Sequence, residues 1–326
     1  MSEVERTLDL KRDSDLWFED GNTVVIAQNV AFRVHRTLLS RHSDTFNDLF
    51  TIPQPTTLDS VGDCMDGCPI VRVADSAHDF KRLLHALYDG VNYLKHDESM
   101  EFSDLAALAR LGNKYQLDNL VSGVCGRLAS VFSTKVKNFN PATWGADPPL
   151  INVKASDTIE AFNLFRLLGR ADMIPVAMYV CCQLPISTLV RGVTRADGTR
   201  EQLSQGDLEA CLVAREALTA GYAWLSLTFL EVSACGTCTI PGRCTLAISD
   251  VRQGPASGPD LCQGTDVLSG SLAFLAGSMH RDQLICDDCR DMLMSRHESI
   301  RKTLWEQLPT MMNLGNLDVE SWPPYD

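Results

Sequence analysis

The sequence predicts an α+β unit, a small sheet covered by helices, followed by a mainly α-helical C-terminal region. Three observations carry this expectation. The runs with strand character, "NTVVIAQ", "VAFRVH" and "IVRVAD", all fall before residue 76. Helical periodicity takes over after them, and strands followed by a block of helices is the α+β pattern. The stretch "NFNPATWGADPPL", Asn138 to Leu150, then breaks all periodicity, and the chain beyond it reads as helix. The expected layout is a flexible N-terminus over residues 1–13, the α+β unit over 14–135, a linker over 136–150 and a helical region over 151–326 with a cysteine-rich segment at 235–289.

Each element follows from local chemistry. Ordered structure is expected to start near Leu16. "DGN" supplies a turn before the β-branched run "NTVVIAQ", and a short polar link at Gln28-Asn29 joins that run to "VAFRVH" as a hairpin. In the second strand Phe32 and Val34 point one way, Arg33 and His35 the other. Leu38, Leu39, Phe46, Leu49 and Phe50 then fit helical faces, with Ser43-Asp44 as a capping signal between two short helices. Residues 51–69 carry Pro, Gly, Asp and Thr and read as a long loop. After the strand "IVRVAD", Ser76 caps a helix with apolar positions Phe80, Leu83, Leu84, Leu87 and Tyr88, stopped by Gly90. Two further helices are expected in "FSDLAALARLGNKYQ" and "LDNLVSGVCGRLASVF". In the second half, "SDTIEAFNLFRLLGRADM" opens with a capping-box pattern at Asp157 and Glu160, and "QGDLEACLVAREALTAGYAWLSLTFLE" repeats apolar residues at helical spacing. Residues 250–270 read as a loop. "CDDCRDMLMSRHESIRKTLWEQLP" is the last helix, with an expected stop at Pro309.

Composition narrows the function classes. The chain is 45% hydrophobic and 22% charged, as in a water-soluble globular protein. Its net charge of −13 is evenly spread, with 14 Lys+Arg against 20 Asp+Glu up to Lys135 and 15 against 22 after it. No basic arm or stripe exists to meet nucleic-acid phosphates. The N-terminus lacks the apolar core of a secretory signal, and "MIPVAMYVCCQLPI" is too short to span a bilayer. The 12 cysteines therefore read as reduced thiols or metal ligands, which fits a cytoplasmic or nuclear protein. Nucleic acid, membrane and small-molecule substrates are not expected as partners.

The stretch "FRVHRTLLSRHSDTF" decides between chemistry and architecture. A histidine base needs a nucleophile and an orienting group within reach, and no motif fixes either. The simpler reading is a hydrogen-bonded histidine at a strand–helix junction. The residues Phe32, His35, Arg36, Leu39, Ser43 and Phe46 fill every position of F-x-x-H-[KR]-x-x-L-x-x-x-S-x-x-F, which resembles the signature of the BTB/POZ domain. "DSAHDFKRLLHALYDG" is similar to the family's next segment through Asp75, Phe80, Leu83, Leu84, Tyr88 and Gly90. "LARLGNKYQLDNLVSGVCGRL" is similar to its last helices through Lys114, Tyr115, Gln116, Leu120, Cys125 and Leu128. The lead-in "LWFEDGNTVVIAQNVAF" resembles BTB proteins of mushroom-type fungi in particular. The likeness ends near Phe132.

The resemblance implies a non-catalytic protein–protein interaction module that forms homodimers. In dimeric members a buried Asp and the basic residue after the motif histidine form a charged pocket; Arg36 matches the basic position, and Asp15 or Asp20 the acidic one. Many members are substrate adaptors that dock a cullin through an apolar-x-Glu element. Its nearest counterpart is Ile52-Pro53-Gln54, where Ile52 supplies the apolar residue and Gln54 replaces the acid.

The C-terminal cysteines form the second candidate site. Cys235 and Cys238 in "CGTC" and Cys286 and Cys289 in "CDDC" are two C-x-x-C pairs, able to present four thiolates to one tetrahedral zinc. Glycines permit a tight knuckle at the first pair, and a helix start favours thiolate at the second. The 47 residues between Cys238 and Cys286 are long for a compact zinc module. Cys244 and Cys262 are alternative ligands, and His280 lies nearby in sequence. Three readings stand: a structural zinc clip, ordinary buried thiols, or a redox or regulatory disulfide. Cys125, Cys181, Cys182 and Cys211 read as core residues on helical faces. Trp305, Leu304 and Leu308 read as a core stripe, and "RHESIRK" as a solvated face.

The functional expectation is a non-enzymatic scaffold. It dimerises through the first unit, holds an unidentified partner through the second and acts as a cullin adaptor where that contact exists. Two competing classes are a transcriptional co-regulator acting through protein contacts and a metal- or thiol-dependent enzyme using the cysteine-rich region.

Overall fold

The computed structural model describes residues 10–51, 64–90, 93–94, 99–141, 144, 150–253, 263–316 and 322–325. The chain divides into two compact units. The first comprises residues 1–131, 145–153 and 193–201; the second comprises 132–144, 154–192 and 202–326.

The first unit is built on a five-stranded sheet of order β1-β3-β2-β5-β4. β2 (Thr23–Ala27) is buried throughout because it is flanked on both sides. It pairs antiparallel with β3 (Val30–Val34) and parallel with β5 (Cys68–Val73). Its side chains alternate between two apolar layers, as a pleated strand requires. Val25 and Ala27 join Phe32, Val34, Leu39, Phe46, Phe80, Leu83 and Leu84 on the helix-covered face. Val24 and Ile26 join Ala31 and Cys68 on the other, with Trp17 and Ile70 packed alongside. The expected hairpin is present. Its turn residue Gln28 takes a φ of +53° and accepts the Ala77 amide at the start of a helix.

The helices follow the expected order. α1 (Arg36–His42) and α2 (Asp44–Thr51) flank Ser43. α3 (Ala77–Asp89) is capped by Ser76, whose side chain accepts from the Asp79 amide, and ends at Gly90 with a φ of +57°. α4 (Phe102–Lys114) and α5 (Asp118–Phe132) complete the series.

Structure and expectation part in several places. β1 (Lys11–Trp17) begins five residues before Leu16, inside the stretch read as flexible. Its first half, Lys-Arg-Asp-Ser-Asp, has no apolar alternation because it is a charged sheet edge, pairing parallel with β3 on one side only. β4 (Cys64–Met65) lies in the stretch read as loop and pairs with β5. A short hairpin between β8 (Val193–Thr194) and β9 (Arg200–Glu201) belongs to the first unit although it lies deep in the second half of the sequence. β6 (Met100–Glu101) likewise pairs with β7 (Ile151–Asn152). In the stretch read as a linker, Phe139 and Trp144 are buried in the second unit. Proline and glycine around them mask two aromatic anchors.

The second unit is helical: α6 (Thr158–Leu167), α7 (Ile174–Cys181), α8 (Ile186–Arg191), α9 (Gln205–Phe229), α10 (Pro241–Gln253), α11 (Ser271–Arg281) and α12 (Asp287–Met311). α9 and α12 pack against each other. Gly221 permits this closeness, since a Cβ there would meet Met311 and Leu304 of α12. α7, the most apolar segment, is buried at every position. Asp157 does not cap forward as expected; its carboxylate accepts from the Lys154 amide, closing a turn before α6. Residues 250–253, read as loop, continue α10. α12 runs through Pro309 to Met311 rather than stopping there. A proline in the last turn removes one amide donor and leaves the remaining ladder intact. No helix among the described residues is long and apolar enough to cross a membrane.

Candidate functional site

The motif residues act as internal wiring of the first unit. His35 ends β3 and is held from both sides. Its amide donates to Tyr88 Oη at 2.9 Å, its Nδ1 lies 2.8 Å from the same oxygen, and its Nε2 lies 3.2 Å from Asp20 Oδ1. One proton arrangement satisfies all three: Tyr88 donates to Nδ1 while Nε2–H donates to Asp20. Phe18 stacks on Tyr88 with centroids 4.6 Å apart. The ring is therefore positioned by a tyrosine, not aimed at a nucleophile.

Ser43 connects α2 to α4. Its Oγ accepts the Phe46 amide at 3.1 Å and donates to the Tyr115 carbonyl at 2.6 Å. Phe46 is fully buried and stacks on Tyr115 with centroids 4.2 Å apart. Tyr115 in turn donates to Asp75, which also pairs with Lys114 at 2.6 Å. Burial, and then the Asp75 carboxylate, push the Tyr115 hydroxyl far above its ordinary pKa. Phe32 and Leu39 fill the same core. Replacing Ser43 by alanine removes the cap of α2 and a donor to a buried carbonyl. It is expected to cost about 2 kcal/mol, read as a lower urea midpoint at unchanged slope.

Among the described residues Arg36 has no buried acidic partner. Asp20 pairs with His35 and is 84% exposed, and Asp15 pairs with Lys81 at 2.8 Å. The Arg36 guanidinium lies over the Phe50 ring, 5.7 Å from its centroid. Ile52 and Gln54 lie outside the described residues. Beside α2 is a hollow of about 470 Å³ lined by Thr45, Leu49, Val73, Tyr115 and Gln116 among others.

The first unit also holds a charged cluster that spacing gave no hint of. Asp79 is 5% exposed. Its Oδ2 meets Arg110 at 2.6 Å and Arg195 at 2.8 Å, and its Oδ1 meets His78 at 3.0 Å. Arg195 comes from the β8–β9 hairpin and also reaches Asp197 at 3.1 Å.

These features meet the motif order read from the sequence. Residues 19–129 match the family model of the BTB/POZ domain. The first unit contains a BTB/POZ domain. The BTB/POZ family is a protein–protein interaction module. No curated protein and no solved structure matches the chain.

Outside the BTB/POZ domain, the second unit gathers the cysteine pairs. Cys235 and Cys238 sit in the turn between α9 and α10. Cys286 caps α12, and Cys289 lies in its first turn. Their four sulfur atoms all lie within 4.8 Å of one another. Cys238 and Cys286 are 3.7 Å apart, and Cys235 and Cys289 are 3.5 Å apart. Four sulfurs placed about 2.3 Å from a central zinc are about 3.8 Å from each other. Two of the six separations are close to that edge and the others stay within 4.8 Å, so this group could hold a metal ion. The amide of Cys289, at the start of α12, lowers the Cys286 thiol to about 7, while burial raises Cys289 and Cys238. The start of α12 thus favours the thiolate form of Cys286, and a bound dication would displace the remaining thiol protons. Cys244 is buried behind the group, where its sulfur accepts the Cys286 amide at 3.4 Å. Cys262 lies outside the described residues. His280 pairs with Asp287 at 2.9 Å. Cys125, Cys181, Cys182 and Cys211 are buried core thiols, and Leu304, Trp305 and Leu308 are buried as a core stripe.

"RHESIRK" is only partly a solvated face. Arg296 donates to the carbonyls of Phe229 and Glu231, and His297 is 3% exposed with Nε2 at 3.1 Å from the Ser269 carbonyl. Burial, reinforced by Arg301, lowers the His297 pKa below 6.5. The unfolded chain therefore takes up the proton first. The stabilising contribution is complete above about pH 6.5 and is lost as pH falls through the lower native value. Replacing His297 by glutamine should flatten the stability difference between pH 7 and pH 5, measured by urea unfolding at each pH.

Proposed function

We propose that this chain is a non-enzymatic scaffold. Its BTB/POZ domain pairs with a second copy, and its helical second unit holds a protein partner. A structural zinc on Cys235, Cys238, Cys286 and Cys289 clips the start of α12 to the turn after α9. The observation that carries the reading is the match of residues 19–129 to an interaction module. The convergence of four thiols from two distant segments supports the zinc clip. Four protein thiolates complete a tetrahedral zinc and leave no open position for substrate, which favours a folding role over a thiol- or metal-dependent enzyme. Dimerisation doubles the copies of the second unit and raises avidity for a multivalent partner. Reduced cysteines suit the cytoplasm or nucleus.

The adaptor form of this reading adds a cullin, contacted through the segment that contains Ile52 and Gln54. Calorimetric titration of the full chain with the N-terminal domain of a BTB-type cullin tests it, with light scattering on the same sample. Micromolar or tighter binding by a dimer supports an adaptor with the second unit as substrate receptor. A folded dimer that does not bind removes the cullin role and leaves the scaffold.

A further inference from the structure

The second unit carries an aromatic cradle that already holds a proline-containing segment. Trp305 of α12 is fully buried, and so are Phe139 and Tyr179 beside it. The Phe139 ring lies edge-on to Trp305 at 5.1 Å and to Tyr179 at 5.2 Å. Against these rings lies Trp322-Pro323-Pro324-Tyr325. Trp322 packs on Trp305 at 4.7 Å and on Phe139 at 6.0 Å, and Tyr325 approaches Trp305 at 6.5 Å. The Trp305 indole N–H donates to the Pro323 carbonyl at 2.8 Å. Arg301 lies 5.8 Å from the Tyr325 centroid and closes one side of the cradle.

This is the chemistry by which proline-rich ligands are held. Pro323 and Pro324 have fixed φ, and a residue preceding proline is pushed towards extended or polyproline II geometry. The segment Trp322–Tyr325 is thus stiff before it docks and loses little entropy on doing so. Such backbones carry no internal hydrogen bonds, so their carbonyls are free to accept from an indole, and aromatic walls take the rings. The fit is also incomplete: Trp322 Nε1 is buried and finds no acceptor among the described residues. A buried donor without an acceptor weakens its own docking.

We propose that the Phe139–Trp305 cradle is a docking site for proline-rich, aromatic-containing peptides of a partner protein. The chain's own Trp322–Tyr325 segment occupies it as a competing internal ligand. Exchange of that segment exposes the site.

The test uses a fluorescein-labelled peptide of sequence SWPPYD and fluorescence anisotropy. Three proteins are compared: the full chain, the chain lacking residues 317–326, and the full chain carrying Trp322→Ala and Tyr325→Ala. Thermal melting establishes that each is folded. The tethered segment acts at an effective concentration on the order of millimolar. Both altered chains should therefore bind the peptide at least about tenfold more tightly than the intact chain. Replacing both prolines of the peptide by alanine should abolish binding, and Trp305→Phe, which keeps a ring but removes the donor, should weaken it by roughly three- to tenfold. The double-alanine chain guards against a truncation that fails to fold. A folded altered chain that ignores the peptide would overturn the proposal. Equal binding by all three proteins would as well, because the internal segment would then not occupy the site.

Discussion

Replacing Cys289 by serine is expected to empty the metal site and to melt the second unit at a much lower temperature. The wild-type chain should carry one zinc and the variant none, by plasma emission spectroscopy after exhaustive dialysis. Structural zinc binds small finger peptides with roughly 10–16 kcal/mol. Even about 4 kcal/mol of that, felt as folding free energy, would lower Tm by roughly 8–16 °C for a unit of this size. On the zinc-clip reading, the large effect follows from what the ion would join. Cys235 and Cys238 lie in the turn after α9, and Cys286 and Cys289 open α12. Without the metal, four thiols are left packed together with burial raising two of them, and one long loop is open. The control is Cys244→Ser. Cys244 accepts the Cys286 amide and is not one of the four mutually close sulfurs, so this variant should keep its zinc and lose only about 1 kcal/mol. Zinc lost equally from both variants would place Cys244 among the ligands.

The second large effect is expected at Asp79. Alanine there leaves Arg110 and Arg195 facing a site from which their shared carboxylate has gone. Removing one partner of a buried ion pair costs about 3–5 kcal/mol when the other charge is left alone. Here Arg195 keeps Asp197 and Glu201, so a cost at the lower end, about 3 kcal/mol, is expected. Arg195→Met should cost less, since Asp79 retains Arg110 and His78. Hydrogen–deuterium exchange localises the effect. Protection in α3 and α4 should fall in Asp79→Ala, whereas α9 and α12 should be unchanged. If the two substitutions cost the same, the hairpin contact, and not the shared charge, carries the stability.

The BTB/POZ domain was legible because its local signals agree with its tertiary structure. Alternation in "VAFRVH" places Phe32 and Val34 in the core, Ser43 and Ser76 cap the helices they precede, and Gly90 ends α3 in the backbone conformation that glycine tolerates. The cysteine pairs were legible as types and spacing, but not as a site. Nothing in 47 intervening residues tells that α10 and α11 return the chain to its starting point. β1 and the β8–β9 hairpin were missed for one reason: neither has apolar alternation. "VTRADGTRE" carries a sound turn signal in Asp197-Gly198, with Gly198 at a φ of +81°, yet the only clue to its docking is an arginine. Charge pairs between residues more than a hundred positions apart, as between Asp79 and Arg195, have no period to read. The same holds for Trp322–Tyr325, where the composition marks a stiff segment and says nothing about the rings it meets.

Native mass spectrometry of the purified full chain tests the scaffold reading at a stroke. The expected species has twice the 36.0 kDa chain mass, carries two zinc ions and releases both metals on acidification. A folded monomer at micromolar concentration, or a folded dimer whose mass leaves no room for metal, would contradict it.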